Sequence, residues 1–175
     1  MNRSQFLTFT AAQSEQISEI NGDQQRNLRR RGLLPGAAGG WNAYSIEDVA
    51  RLVVVGLLSR RGMPPKIASE IAKKVAPMLV AHALNLKGAI EGDDEEARNE
   101  LRRKWTPSDG LKRFAIATGQ FSTQVVFGND LKKVFFASSE LGAVVAVDLK
   151  FCALKIVEGA KPLPLVKVLA KDEAA

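Results

Sequence analysis

Apolar residues recur at helical spacing through the first half of the chain and give way to alternation and short apolar runs in the last third. Thr10, preceded by Phe9, is placed to cap a first helix in which Ile17 and Ile20 fall three apart on one face. Asn21-Gly22 is a turn dipeptide, and Asp23 after it is expected to cap a second helix from Gln24 to Arg31 that Gly32 ends. Pro35-Gly36-Ala37-Ala38-Gly39-Gly40 reads as a flexible loop between two short extended pieces, Leu33-Leu34 and Trp41 to Tyr44. Ser45 followed three residues later by Asp48 has the form of a capping box and opens a helix from Ile46 to Arg61. Its buried stripe is Val49, Leu52, Val53 and Leu57, with Gly56 allowing close approach, and Gly62 stops it.

Pro64-Pro65 suits the start of a further helix whose apolar positions Ile67, Ile71, Val75, Met78, Leu79, His82 and Leu86 keep spacings of three and four. Pro77 inside it predicts a kink or a break. Residues 91–110 pass from Glu91, Asp93, Asp94, Glu95 and Glu96 to Arg98, Arg102, Arg103 and Lys104, a gradient suited to a short exposed helix or a linker. From Leu111 onward the composition shifts to Val, Phe, Ile and Thr. Phe121 to Phe127 and Leu131 to Ala137 flank Gly128-Asn129-Asp130 as a hairpin would, Ala143 to Val157 alternates over Val145, Val147, Leu149 and Phe151, and Leu163 to Leu169 adds another strand. The expected class is therefore α+β, with a small β-rich C-terminal part.

The 175 residues suffice for one ordinary domain or two small ones, and 46% hydrophobic with 25% charged residues describes a globular chain. No apolar run approaches the roughly 18 residues of a spanning helix, and the first residues show no export signal, so a cytoplasmic protein without a membrane partner is expected. The net charge of +6 divides into +4 over residues 1–66, −1 over 67–110 and +3 over 111–175. The first segment is arginine-rich, as phosphate contact requires. Cys152 and His82 are the only cysteine and histidine, which excludes an intrachain disulfide and a zinc finger and argues against a Cys/His catalytic pair. Cys152, among Phe151, Ala153 and Leu154, reads as a small buried side chain. The Asp93–Glu96 cluster matches no calcium loop and reads as a solvated helix start. No phosphate-cradling glycine motif occurs, and no serine has a histidine near it in sequence. Neither an enzyme nor a resident cofactor is expected.

The order of parts from Phe9 to Ile71 resembles the winged helix-turn-helix of the MerR family of DNA-binding regulators. The resemblance rests on the basic helix before Gly32-Leu33-Leu34-Pro35, on Gly40-Trp41-Asn42-Ala43-Tyr44, and on Ser45-Ile46-Glu47-Asp48-Val49. It covers roughly residues 9 to 75. It implies that the second helix lies in the major groove while the wing holds flanking phosphates. Three departures stand out. Asn42 replaces the arginine of the family's wing, Ser14-Glu15 stands where an apolar Leu-Ala pair is usual, and Glu19 stands where glycine is common. In the family a long helix after the wing pairs two subunits; here Pro77, Gly88 and Gly92 interrupt that stretch. The family's thiolate metal sensors use cysteines near that helix, and this chain has none there.

A recognition helix needs polar side chains that reach base edges. Asn21, Asp23, Gln24, Gln25 and Arg26 occupy the first turns: Asn and Gln suit adenine, Arg suits guanine or phosphate. The family pattern places an arginine six residues before Gly-Leu-Leu, and Arg26 stands six before Gly32. Arg29, Arg30 and Arg31 follow, either as phosphate contacts or as a solvated basic end that suits the helix dipole. Trp41, Asn42 and Tyr44 are the wing's candidates, with the alternative that the two aromatic rings pack the wing onto the next helix. The expected organisation is a DNA-binding unit over residues 1–75, a helical connector or dimerisation helix over 76–110, and a β-rich unit over 111–175 for dimerisation or for binding an effector or partner. The expected function is a sequence-specific transcriptional regulator acting on double-stranded DNA as a homodimer and touching RNA polymerase or a recombinase. The alternatives are an excisionase-like architectural accessory protein, or a protein-interaction adaptor that keeps a vestigial helix-turn-helix.

Overall fold

The computed structural model describes residues 3–34, 43–118, 123–137 and 144–169. Among these the chain is mixed α+β, with seven helices and two three-stranded sheets. The order is β1 (Arg3–Phe6), α1 (Ala11–Ser18), α2 (Gly22–Arg30), α3 (Ile46–Ser59), α4 (Pro65–Leu84), β2 (Ile90–Glu91), α5 (Glu95–Trp105), β3 (Phe114–Thr118), β4 (Val125–Gly128), α6 (Leu131–Ala137), β5 (Val144–Asp148), α7 (Leu149–Ala160) and β6 (Val166–Leu169).

The first three helices begin in the same way. Thr10, Asn21 and Ser45 each accept a bond from the amide three residues on, while Gln13, Gln24 and Asp48 reach back to the cap's own amide. Asn21 caps α2, and Asp23, expected in that role, sits in the first turn, where its charge suits the positive end of the helix. The turn between α1 and α2 places Glu19 at φ 60°, in the left-handed region. That is why a glycine is the natural residue there: a side chain in this region costs roughly 1–2 kcal/mol. Glu19 is held by ion pairs to Arg60 at the end of α3 and to Lys155 of α7.

Helix α4 is the centre of the molecule. Ala68, Ile71, Ala72, Val75, Ala76, Leu79, Val80, Ala83 and Leu84 are all buried, because α3, α5 and α7 pack around it. Its exposed edge is the polar line of Lys66, Lys73, Lys74 and Pro77. The apolar stripe that would pair two subunits is thus covered within the chain. Of the kink or break expected at Pro77, the break does not occur: α4 runs through it. The ring lies on the solvent side, where the Lys73 carbonyl, deprived of an amide donor, can bond water instead.

Two expectations for the last third are corrected. Leu131–Ala137 is helix α6, because the Asp130 carboxylate accepts bonds from the Lys132 and Lys133 amides; β4 pairs instead with β3. The alternating run that begins in β5 stops as a strand at Asp148, whose carboxylate caps α7 through the Lys150 and Phe151 amides. Burial disfavours the charged form of Asp148, but Arg113 and those amides outweigh it and hold its carboxyl below the ordinary value. Leu149, Cys152, Ala153, Ile156, Val157 and Ala160 form the buried face of α7, at helical spacing. The last third is therefore mixed rather than β-rich.

The strands β4-β3-β5 form one antiparallel sheet. The other sheet joins distant parts of the chain, with β6 between antiparallel β1 and parallel β2. Phe6 of β1 lies 5.6 Å from the Trp105 ring, which fastens the end of α5 onto the same sheet. Helix α4 crosses residue 75, and α7 packs on α1, α3 and α4. No described helix is long and apolar enough to cross a membrane.

Candidate nucleic-acid interface

Helix α2 has one buried face and one open face. Leu28 is its only large apolar residue, and Gln25, three positions earlier, is buried with it at 0% exposure. Gln25 donates from Nε2 to the Ile20 carbonyl at 2.7 Å and to the Ala11 carbonyl at 3.3 Å. It therefore braces α2 against α1 and the turn, and does not present its amide to a base. This corrects its expected role as a reader. The spacing from Leu28 carries the signal for it.

Asn21 and Gln24 are engaged with each other as the capping box of α2, through bonds of 2.9 and 3.2 Å. Asp23 and Arg26 form an exposed ion pair, with 84% and 71% of their side chains accessible. Arg26 and Arg30 stand with Asp23 and Asn27 around one shallow concavity on the outer face. Asn27 was not among the expected readers, although the row 23, 26, 27, 30 follows helical spacing and is visible in the sequence.

Arg29 does something different from its neighbours. Its guanidinium lies 3.7 Å from the centre of the Tyr44 ring and donates to the Ala43 carbonyl at 3.3 Å. It thus clamps the end of α2 to the segment that enters α3. Tyr44 is 2% exposed, so its ring is a core element and not a surface contact; of its two expected alternatives, packing is the one found. Burial pushes the Tyr44 hydroxyl above its ordinary value, with the Arg29 charge pulling the other way. Tyr44 also exchanges two backbone bonds with Phe9, of 2.8 and 2.9 Å, so the extended segment before α3 pairs with the chain before α1. Leu33 and Leu34 form a bend, tied to α4 by a bond from the Ser69 hydroxyl to the Leu33 carbonyl. Residues 35–42, including Trp41 and Asn42, lie outside the described residues.

The other candidate chemistry is engaged structurally. Cys152 is buried on α7, and burial pushes its thiol up to about 11, which keeps it protonated. His82 donates from Nε2 to the Lys112 carbonyl at 2.9 Å. Within the acidic cluster, Asp94 caps α5 through the Ala97 amide at 2.9 Å. Among the described residues no three His, Cys, Asp or Glu side chains gather as a metal site would require. What the geometry offers is a short helix, fixed along one side, that turns a polar and cationic row outward. No family model matches this sequence, and no curated protein matches it.

Proposed function

We propose that the chain is a sequence-specific DNA-binding protein that regulates transcription, presenting α2 to the major groove in the manner of the MerR-like winged helix-turn-helix its sequence resembles. The observation that carries this reading is the division of α2 into a pinned face, Gln25 and Leu28, and an outward row of Asp23, Arg26, Asn27 and Arg30. A helix that reads bases must be held rigidly while its readers remain free of the core. In this reading Arg26 addresses a guanine, Asn27 an adenine and Arg30 a phosphate. Asp23 aims Arg26 in the free protein and accepts from a cytosine amino group in the complex. Arg29 and Tyr44 hold the end of α2 against the segment that enters α3. Two copies reading an inverted repeat supply the affinity that one small module lacks.

In vitro selection from random duplex DNA on the full chain, followed by a salt series, tests this. A defined motif with affinity falling steeply as salt rises is expected, and Arg26→Ala with Asn27→Ala should weaken binding to it by about 1–3 kcal/mol each while non-specific binding changes less. No enrichment over random DNA would remove the reading. A second reading, a protein-interaction adaptor, draws on the outward Phe151 and Leu154 of α7, which are 58% and 42% exposed. Retention of function in cells by the Arg26→Ala, Asn27→Ala variant would favour it.

A further inference from the structure

Behind the outward row, α2 and the end of α3 enclose a cleft of about 360 Å³. That volume is within the range of small-molecule sites. Ile20, Leu28, Val55 and Pro65 make an apolar floor, and Gly56, where a Cβ would meet the Ser18 carbonyl and the Ile20 side chain, lets the turn before α2 pack closely on α3. The rim is charged unevenly. Its one carboxylate, Glu19, already serves both Arg60, at 3.0 Å, and Lys155. Arg31, which also lines the cleft, has no acidic partner among the described residues. An apolar floor beside a surplus of guanidinium charge is complementary to a ligand with a flat apolar body and one anionic group.

We propose that this cleft binds a small aromatic carboxylate, its ring on the Ile20, Leu28 and Val55 floor and its carboxylate on Arg31. The guanidinium fork matches a carboxylate with two parallel bonds, whereas an uncharged ring of the same size gains only the floor. Asn27 lines both this cleft and the outward concavity. An occupied cleft therefore bears directly on a residue of the DNA-reading row. That consequence rests on the DNA-binding reading; binding of the carboxylate does not.

Titration of the full-length protein with 2-naphthoate, followed by amide chemical shifts in the absence of DNA, tests the site. The expected result is saturable shifts grouped at Ile20, Asn27, Val55 and Ser59, with a Kd below about 1 mM. Arg31→Glu should weaken binding about tenfold, Arg31→Lys less, and 2-naphthol should bind the native protein as weakly as naphthoate binds Arg31→Glu. Ser59→Phe, an exposed position at the rim, should block the cleft without disturbing the core. Shifts centred on Phe151 and Leu154, equal binding of naphthol and naphthoate, or an unchanged Kd in Arg31→Glu would each overturn the proposal. The tube holds no DNA, so this outcome is independent of whether the selection experiment finds a motif.

Discussion

The region from Phe9 to Ser59 and the region from Val125 to Leu163 turn opposite kinds of surface to the solvent. In the first, the aromatic side chains Phe9 and Tyr44 are buried and the outward positions, Asp23, Arg26, Asn27 and Arg30 among them, are polar, charged or small. In the second, Val126, Leu131, Phe135, Phe151, Leu154 and Leu163 are exposed, and no large apolar residue before Val126 is exposed among those described. A surface of guanidinium and amide groups suits a hydrated, anionic partner, whereas scattered aromatic and aliphatic groups suit a protein surface or none. In the DNA-binding function proposed above, the first region is the one that faces the DNA.

The sharpest way to test that contrast is to remove one aromatic ring from each region. Tyr44→Ala empties a fully packed site and releases Arg29, so unfolding stability should fall by about 3–5 kcal/mol. Phe151→Ala, from a ring already largely in water, should cost less than about 0.5 kcal/mol. Urea denaturation of the two variants measures both, and equal losses would break the comparison. The next effect concerns the joint between the regions. A Cβ at Gly159 of α7 would overlap the Ile17 side chain of α1, so Gly159→Ala must push the two helices apart. Overpacking of this kind typically costs about 1–3 kcal/mol, reduced here by the better helix propensity of alanine. A neutral Gly159→Ala would mean that α7 does not seat on α1 at this spacing.

The helix starts at Thr10 and Ser45 were legible because each capping box is written within four consecutive residues, and α2 was legible except for which residue, Asn21 or Asp23, caps it. The same kind of local signal was present at Asp130 and Asp148, yet the alternating valines and aromatics around them match a strand equally well over so short a span. Tertiary burial of Leu149, Cys152, Ile156 and Val157 decides that competition, and burial cannot be read from one run of sequence. The pairing of β1 with β6 joins the two ends of the chain and leaves no local trace at all. In the candidate site, helix α2 and the outward positions of Arg26 and Arg30 were legible in the sequence. The burial of Gln25 was not legible, and Tyr44 stood open between wing contact and packing, because a polar side chain or a tyrosine hydroxyl does not reveal that its carbon atoms are needed in the core.

A gain in stability is expected at Ser14. Its side chain is 0% exposed and its hydroxyl has no hydrogen-bond partner among the described residues, on a helix that packs against α3. Burying such a hydroxyl unpaired costs about 1–3 kcal/mol, and alanine is also the better helix former. Ser14→Ala should therefore raise stability by roughly 1 kcal/mol in the same denaturation assay. Lower stability would show that a buried water or an alternative rotamer satisfies the hydroxyl.

The smallest effect is at Glu19, where two terms nearly cancel. Glycine would relieve the left-handed strain of roughly 1–2 kcal/mol, but it would also remove two half-exposed ion pairs worth about 0.2–1 kcal/mol each and add freedom to the unfolded chain. The net change for Glu19→Gly at neutral pH should lie within about 0.5 kcal/mol. Acid separates the terms. The Lys155 hydrogen bond, aided by the Arg60 and Lys155 charges, holds the Glu19 carboxyl below its ordinary value. A carboxyl depressed in the folded state stabilises the fold above its unfolded pKa, and that contribution is lost as pH falls through the folded one, from roughly pH 5 downward. Strain, by contrast, does not titrate. Glu19→Gly should thus lose less stability than the native chain between pH 7 and pH 3, and parallel acid limbs would show that the ion pairs to α3 and α7 contribute nothing to holding the turn.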